Sequence, residues 1–333
     1  MPLRIALLEI DHWHVPLYVD ALRTLDVQIV AVSDQDYHRA RRYAETIASR
    51  AYPSPDELLD HEAVDFAFAF APHDRMLSLF ATLAERHQPF AMEKPMALRG
   101  GDLERLLPRV EASGLFAGVA FVRRLGGLPG TLLRVRDELG EIVQFQHRFI
   151  GGPLKRYVDW GCPWMLDRER AGGGCMLNFG THAFDIFLSL VGEPVVSVFC
   201  QTTNRLHGSS VEDLATVLLR TESGAQALLE SGYLLPAEPK EDLMSLATSN
   251  AYASNNRAAN ARPTIRFRDG RTLTVLEEEP DYGTYVADVL RRFRAGEPPV
   301  ADVRAMTRVL NCINAAYASA ASGVPVAPTG LTS

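Results

Sequence analysis

Apolar residues change their spacing partway along this chain, and the change divides it in two. Up to Phe121, short apolar runs alternate with stretches of helical period. Leu3–Leu8 is apolar apart from Arg4 and predicts a strand, and Pro16–Leu25 predicts a helix. Val27–Val32 is β-branched and apolar and ends at Ser33-Asp34; Arg39–Ser49 predicts a helix. Pro55–Asp60 reads as a short helix capped by Ser54. Val64–Phe70 is a strand, Met76–Arg86 a helix, Phe90–Met92 a strand, Leu103–Ser113 a helix and Phe116–Phe121 a strand. This βαβα order predicts an α/β domain with a doubly wound parallel sheet.

After Phe121 the rhythm differs. A helix near Leu132–Leu139 leads to the alternating strand Ile142–Ile150, an irregular loop, Gly151–Gly172, and a helix near Gly174–Val191. Strand-like runs then follow one another: Val195–Thr202, Ala215–Thr221, Ala225–Leu234, and Thr264–Phe267 with Thr272–Leu276. Strands without intervening helices predict an open, mostly antiparallel sheet and an α+β second domain. Pro236–Arg262 is polar and carries no clear period; Tyr282–Ala295 and Val303–Ser322 close the chain as helices. The expected domains are 1–121 and 122–333, in line with a chain of 333 residues.

Composition narrows the function. A net charge of −7 and the lack of a Lys/Arg stripe argue against a nucleic-acid surface. No run has the look of a signal peptide or a membrane span, so a cytoplasmic protein is expected. The four cysteines (Cys162, Cys175, Cys200, Cys312) are scattered and read as reduced thiols.

Three segments carry candidate chemistry. Lys94, one of only three lysines, follows the strand Phe90–Met92 within Glu93-Lys-Pro95. The carboxyl end of a strand is where open α/β sheets bind ligands, and a lysine there can exchange a proton. The run Gly172-Gly-Gly174 precedes Asn178, His182 and Asp185, which share one helical face if a helix starts near Cys175. His182 is then either a proton-exchanging imidazole or a core histidine satisfied by Asp185. Asp34 ends the second strand, where an acid accepts ribose hydroxyls and favours NAD over NADP. The first strand-to-helix turn, Leu8-Glu-Ile-Asp-His-Trp-His-Val-Pro16, lacks every glycine of the dinucleotide fingerprint. Asp11, His12 and His14 as metal ligands are a weak alternative, because adjacent residues in a tight turn rarely converge on one ion. No metal is expected.

Ala31-Val-Ser-Asp34, Val64–Pro72, Glu93-Lys94-Pro95 and the segment from Gly172 to Asp185 together resemble the Gfo/Idh/MocA family of nicotinamide-dependent oxidoreductases. Gly296-Glu-Pro-Pro-Val300, Asn314–Ser319 and Gly323–Val326 extend the resemblance to the C-terminus. It implies a Rossmann domain joined to a larger domain that often serves in homo-oligomer contacts. It also implies hydride transfer between nicotinamide and a hydroxyl-bearing carbon of a sugar, inositol or related polyol. By this resemblance Lys94, His182 and Asn178 are the catalytic set, with Asn178 where many relatives carry an acid. Ile10, Asp11, His12, Trp13, His14, Asp34, Ala71, Pro72, His73, Glu93, Lys94 and Arg123 would face the cofactor. Arg123, Lys155, Arg156, Tyr157, Trp160 and Trp164, with Lys94, Asn178 and His182, are candidates for the substrate pocket. The rival expectations are a glycoside hydrolase that uses NAD transiently, and a sugar-sensing protein that kept the fold without the cofactor.

Overall fold

The computed structural model describes residues 2–237, 239–256, 262–276 and 281–331. The first half forms β1 (Leu3–Leu8), α1 (Val15–Leu22), β2 (Val27–Ser33), α2 (Tyr37–Thr46), β3 (Arg50–Tyr52), α3 (Pro55–His61), β4 (Phe66–Ala69), α4 (Met76–Glu85), β5 (Phe90–Met92), α5 (Gly100–Ser113) and β6 (Ala117–Val119). Its six strands are all parallel, in the order β3-β2-β1-β4-β5-β6. The reversal between β1 and β4 is the crevice where such sheets hold ligands. The Arg50–Tyr52 strand escaped the sequence pattern because three residues are too few to show a period.

The fold is thus a Rossmann-type sheet followed by a second, mostly antiparallel one. The chain passes through α6 (Gly127–Arg134), α7 (Arg136–Leu139), β7 (Ile142–Ile150), the short helices α8 (Arg156–Asp159) and α9 (Arg168–Ala171), and α10 (Thr181–Val191). There follow β8 (Val195–Thr203), β9 (Leu214–Thr221), β10 (Gln226–Gly232), β11 (Glu241–Thr248), β12 (Ala251–Asn256), β13 (Thr264–Phe267) and β14 (Thr272–Thr274). The sheet order is β14-β13-β12-β11-β7-β10-β9-β8, antiparallel except for the β7–β10 pair. The unassigned stretch 236–262 contains β11 and β12; within it, Glu238 and 257–261 lie outside the described residues. Strand β11 alternates half-buried and buried residues perfectly, but its small and charged residues hide the period from a hydropathy reading.

The last two helices return to the first sheet. Helix α11 (Tyr282–Ala295) packs on α1, and α12 (Val303–Ser322) packs on α5, α10 and β8. Segment Arg168–Val191 is, by length and composition, apolar enough to cross a membrane, yet 78% of its most apolar window is buried inside the protein. It is the core helix beneath the second sheet. All four cysteines are buried and unpaired.

Candidate functional site

At the crevice a cavity of about 830 Å³ opens, a normal size for a small-molecule site. It begins at Arg39 and Tyr43 on α2, follows the β1–α1 turn from Ile10 to Leu17, and reaches Lys94, Asn178 and His182. Arg123, Phe149, Arg156, Tyr157, Trp160, Phe179, Lys240 and Tyr282 form the far wall.

Lys94 is 2% exposed and stands on the end of β5. Its Nζ donates to Asn178 Oδ1 at 2.7 Å and to the Asn178 carbonyl at 3.0 Å. The Asn178 Nδ2 donates in turn to the hydroxyls of Tyr157 (2.5 Å) and Tyr233 (3.0 Å). The Lys94 ammonium can only donate, so the amide turns Oδ1 to it, and the two tyrosine hydroxyls can accept from Nδ2. Burial brings the Lys94 amine down to about 8, and the neighbouring Glu93 carboxylate limits the fall. An acid in place of Asn178 would hold the amine charged; the amide leaves Glu93 as its stabilising charge.

Asn178 lies on a π-helical turn, Met176–Gly180, that runs into α10. Single π turns of this kind recur at functional sites. The expected shared face of Asn178 and His182 therefore crosses a junction, yet both side chains reach the cavity. Burial, with Lys94 and Arg123 nearby, keeps His182 well below the ordinary imidazole value, so the ring is neutral. Its Nδ1 has no partner among the described residues. Asp185 does not satisfy it: that carboxylate is taken by Arg124, with Nε to Oδ2 at 2.8 Å and Nη2 to Oδ1 at 2.5 Å. The glycines before the turn also serve the protein itself. A Cβ on Gly174 would collide with the Glu212 carbonyl and one on Gly173 with the Tyr317 hydroxyl.

The β1–α1 turn keeps the shape of a glycine turn without its glycines. Glu9, Asp11 and His14 stand at the fingerprint spacing. Glu9 has φ +55°, a conformation that favours glycine, and Ala71 at the end of β4 has φ +86°. Burial lifts the Glu9 carboxyl to about 7 against the pull of Arg75, whose Nη1 is 2.7 Å from Oε2. Arg39 binds Asp34 at 3.0 Å and Asp11 at 3.2 Å. Trp13 stacks on His12 with ring centroids 4.0 Å apart and lies 5.9 Å from Lys94 Nζ.

Some expected residues sit elsewhere. Trp164 is buried against His73, Trp13 and His12 and does not line the cavity. Lys155 is exposed and reaches Asp159. Asp34, Ala71, Pro72, His73 and Glu93 are buried beneath the lining, with His73 Nδ1–H donating to the Ala171 carbonyl at 2.8 Å. Sequence reasoning missed Tyr18, Phe149, Phe179, Tyr233, Lys240 and Tyr282, which no local pattern marks. Arg39 did carry a signal, a cation one helical turn past Asp34.

The comparisons with known proteins fit this geometry. Residues 11–121 match the family model of the NAD-binding Rossmann fold of the Gfo/Idh/MocA oxidoreductases, and residues 134–252 match a Gfo/Idh/MocA C-terminal domain. The chain belongs to the Gfo/Idh/MocA family. That family is one of oxidoreductases, and several of the relatives it matches are named as dehydrogenases. It is 25% identical to a D-xylose 1-dehydrogenase (NADP(+)) of Haloferax volcanii over 92% of this chain and 94% of that one. A myo-inositol 2-dehydrogenase of Thermotoga maritima is 26% identical over 65% of this chain and 64% of that one. In fold it is similar to the WlbA dehydrogenase of Bordetella pertussis, solved with NADH and UDP-GlcNAcA, at a TM-score of 0.84, 19% identity and coverage of 99% and 98%. A levoglucosan dehydrogenase solved with NADH and levoglucosan gives 0.82 and 16%, covering 99% of this chain and all of that one.

This member of the family fits a pyridine dinucleotide in two respects. The cavity runs continuously from Arg39 and Tyr43 on α2 to Lys94, and His12 Nε2 and His182 Nδ1 are buried polar atoms without a partner among the described residues. The glycine-free turn is its departure: phosphates would meet side chains there as well as backbone.

Proposed function

We propose that this chain is an NAD(P)-dependent dehydrogenase or reductase acting on a hydroxyl-bearing carbon of a sugar, inositol or related polyol. The observation that carries the reading is the Lys94 amine, brought to about 8 and aimed by Asn178 at the floor of the cavity. Ile10–His14, Arg39 and Lys94 would hold the nucleotide along the crevice. When bound, the nicotinamide supplies the hydride chemistry. The protein's part is proton handling and orientation. Lys94 hydrogen-bonds the reacting oxygen and takes or returns its proton, which an amine near 8 can do in either direction around neutral pH. His182, neutral and part of the cavity lining, is the residue we assign to relay that proton. Asn178 stays neutral and positions the amine. Arg123, Arg156 and Trp160 offer donors and an aromatic face to a polyhydroxylated substrate.

Four buried free thiols accord with a cytoplasmic enzyme, and the wide second sheet supports a homo-oligomer. An acid at the end of β2 favours NAD, but Asp34 is buried and bound by Arg39, which itself lines the cavity, so a ribose 2′-phosphate would find a cation there. Calorimetric titration with NAD(H) and NADP(H), followed by nucleotide-reduction assays on aldoses, inositols and sugar acids, tests the whole reading. Micromolar binding of at least one nucleotide and turnover with one substrate class are expected. No binding of either nucleotide below millimolar would overturn it. Arg39→Ala is expected to weaken NADP(H) about 10-fold more than NAD(H), roughly one lost charge-assisted hydrogen bond.

A further inference from the structure

Beside Lys94 the fold assembles a second chemical group. His12 and His14 come from the β1–α1 turn and Glu93 from the end of β5. One ligand-type atom of each lies within 4.8 Å of the other two, and among the described residues this is the one histidine, cysteine and carboxylate group so arranged. His14 Nδ1 and Glu93 Oε1 are 3.1 Å apart. Two donors about 2.1 Å from a tetrahedral ion stand about 3.4 Å from each other, so this spacing suits a shared ion. A second observation is compatible with this: His12 is 4% exposed and its Nε2 has no partner among the described residues, so the ring has a nitrogen to offer.

The surroundings resemble the outer layer of a metal centre. Tyr18 donates to Glu93 Oε1 at 2.9 Å, and the Tyr282 hydroxyl lies 2.6 Å from His14 Nδ1. The Tyr18 contact would orient a ligating carboxylate, whereas the Tyr282 hydroxyl lies on the His14 nitrogen that faces Glu93 and has to leave it before that nitrogen ligates. A second rearrangement is required at His12. The His14 amide donates to His12 Nδ1 at 3.2 Å, and either ring nitrogen of His12 can ligate only once this long contact opens. Asp11, the carboxylate nearest in sequence, is bound by Arg39 and takes no part.

We propose that His12, His14 and Glu93 bind a divalent transition-metal ion of the zinc type. Two imidazoles and one carboxylate are a donor set that Zn²⁺, Co²⁺ and Fe²⁺ accept, leaving a position for water or a ligand oxygen. The site shares His12 and His14 with the stretch proposed to hold the nucleotide, but its occupancy is measured without nucleotide or turnover.

The test uses the full chain, stripped with a chelator and titrated with Co²⁺ and Zn²⁺. The expected result is about one equivalent of either ion, with visible Co²⁺ bands of a low-coordinate nitrogen–oxygen site and a higher Tm with metal than without. His14→Ala and Glu93→Gln are expected to lose the bands and the Tm shift. His73→Ala, at a buried histidine outside the group, is expected to keep both. X-ray absorption at the zinc edge of the wild-type protein should count two imidazoles. This last measurement decides the matter even where a variant does not fold. Failure of both ions to bind at millimolar concentration, binding unchanged in both ligand variants, or fewer than two imidazoles at the zinc would overturn the site. The group would then be a hydrogen-bond network among His14, Glu93, Tyr18 and Tyr282.

Discussion

Replacing Lys94 with Met is expected to lower kcat by about 100- to 10 000-fold, the usual worth of a positioned proton-transfer group. The same variant should stay folded. An amine that falls from 10.5 to about 8 on folding is destabilised in its charged form by about 3 kcal/mol. The sign follows from proton uptake. Between about pH 8 and the ordinary lysine value, the unfolded chain holds a proton that the folded lysine has released, so stability rises with pH across that window. Below pH 8 the buried charge is a standing cost. Met removes this cost but leaves Asn178 Oδ1 without its donor, a loss of about 1–3 kcal/mol. At pH 7 the two nearly cancel, and denaturant unfolding should place the variant within about 1 kcal/mol of wild type. In the active protein kcat/KM should change across about pH 8, and that break should be absent from whatever residual activity Lys94→Met retains. Substantial turnover in the variant would remove Lys94 from the mechanism. An Asn178→Asp variant is expected to move the break to higher pH, because a carboxylate 2.7 Å from the amine would favour its charged form.

The largest loss of stability is expected from Arg124→Ala, about 3–5 kcal/mol, read as a lower Tm and denaturation midpoint with an unchanged denaturant slope. Asp185 is 2% exposed, and burial already pushes its carboxyl up against the pull of Arg124. Removing the guanidinium leaves a buried carboxylate without its paired cation and also frees the Val300 carbonyl that Arg124 Nη1 binds at 2.9 Å. Asp185→Asn should also destabilise, since the amide keeps only one of the two acceptors for Arg124 and leaves that buried guanidinium without its counter-ion. The pair matters for function through position. It ties α10, which carries His182, to the turn Val122–Leu125, which carries Arg123. A loss below about 1 kcal/mol in Arg124→Ala would show that α10 is held by packing alone.

Much of this architecture was legible from local pattern. The βαβ rhythm to Phe121 placed five of the six parallel strands, because buried parallel strands read as continuous apolar runs. Lys94 was legible because an ionisable residue directly after such a run has to sit at a strand end. Asn178 and His182 were legible as a pair, and the cavity brings both to Lys94. The glycine-free turn was legible as a departure, and the fold shows its form: Glu9 keeps a glycine's φ, while Arg75 and Arg39 draw Glu9, Asp11 and Asp34 into ion pairs.

Periodicity and residue type, both local properties, set the succession of strands and helices in the first half and which residues stand at strand ends. Protonation state, partner and exposure depend on groups distant in the chain. Asn178 is 84 residues from the lysine it aims, Asp185 is 61 from the arginine that claims it, and Glu93 is 79 from His14. Burial is likewise collective: it strips water from Lys94 and so makes an ordinary surface charge into an amine near neutrality. No spacing rule carries that information, because desolvation and hydrogen-bond choice exist only after the two sheets close around the cavity.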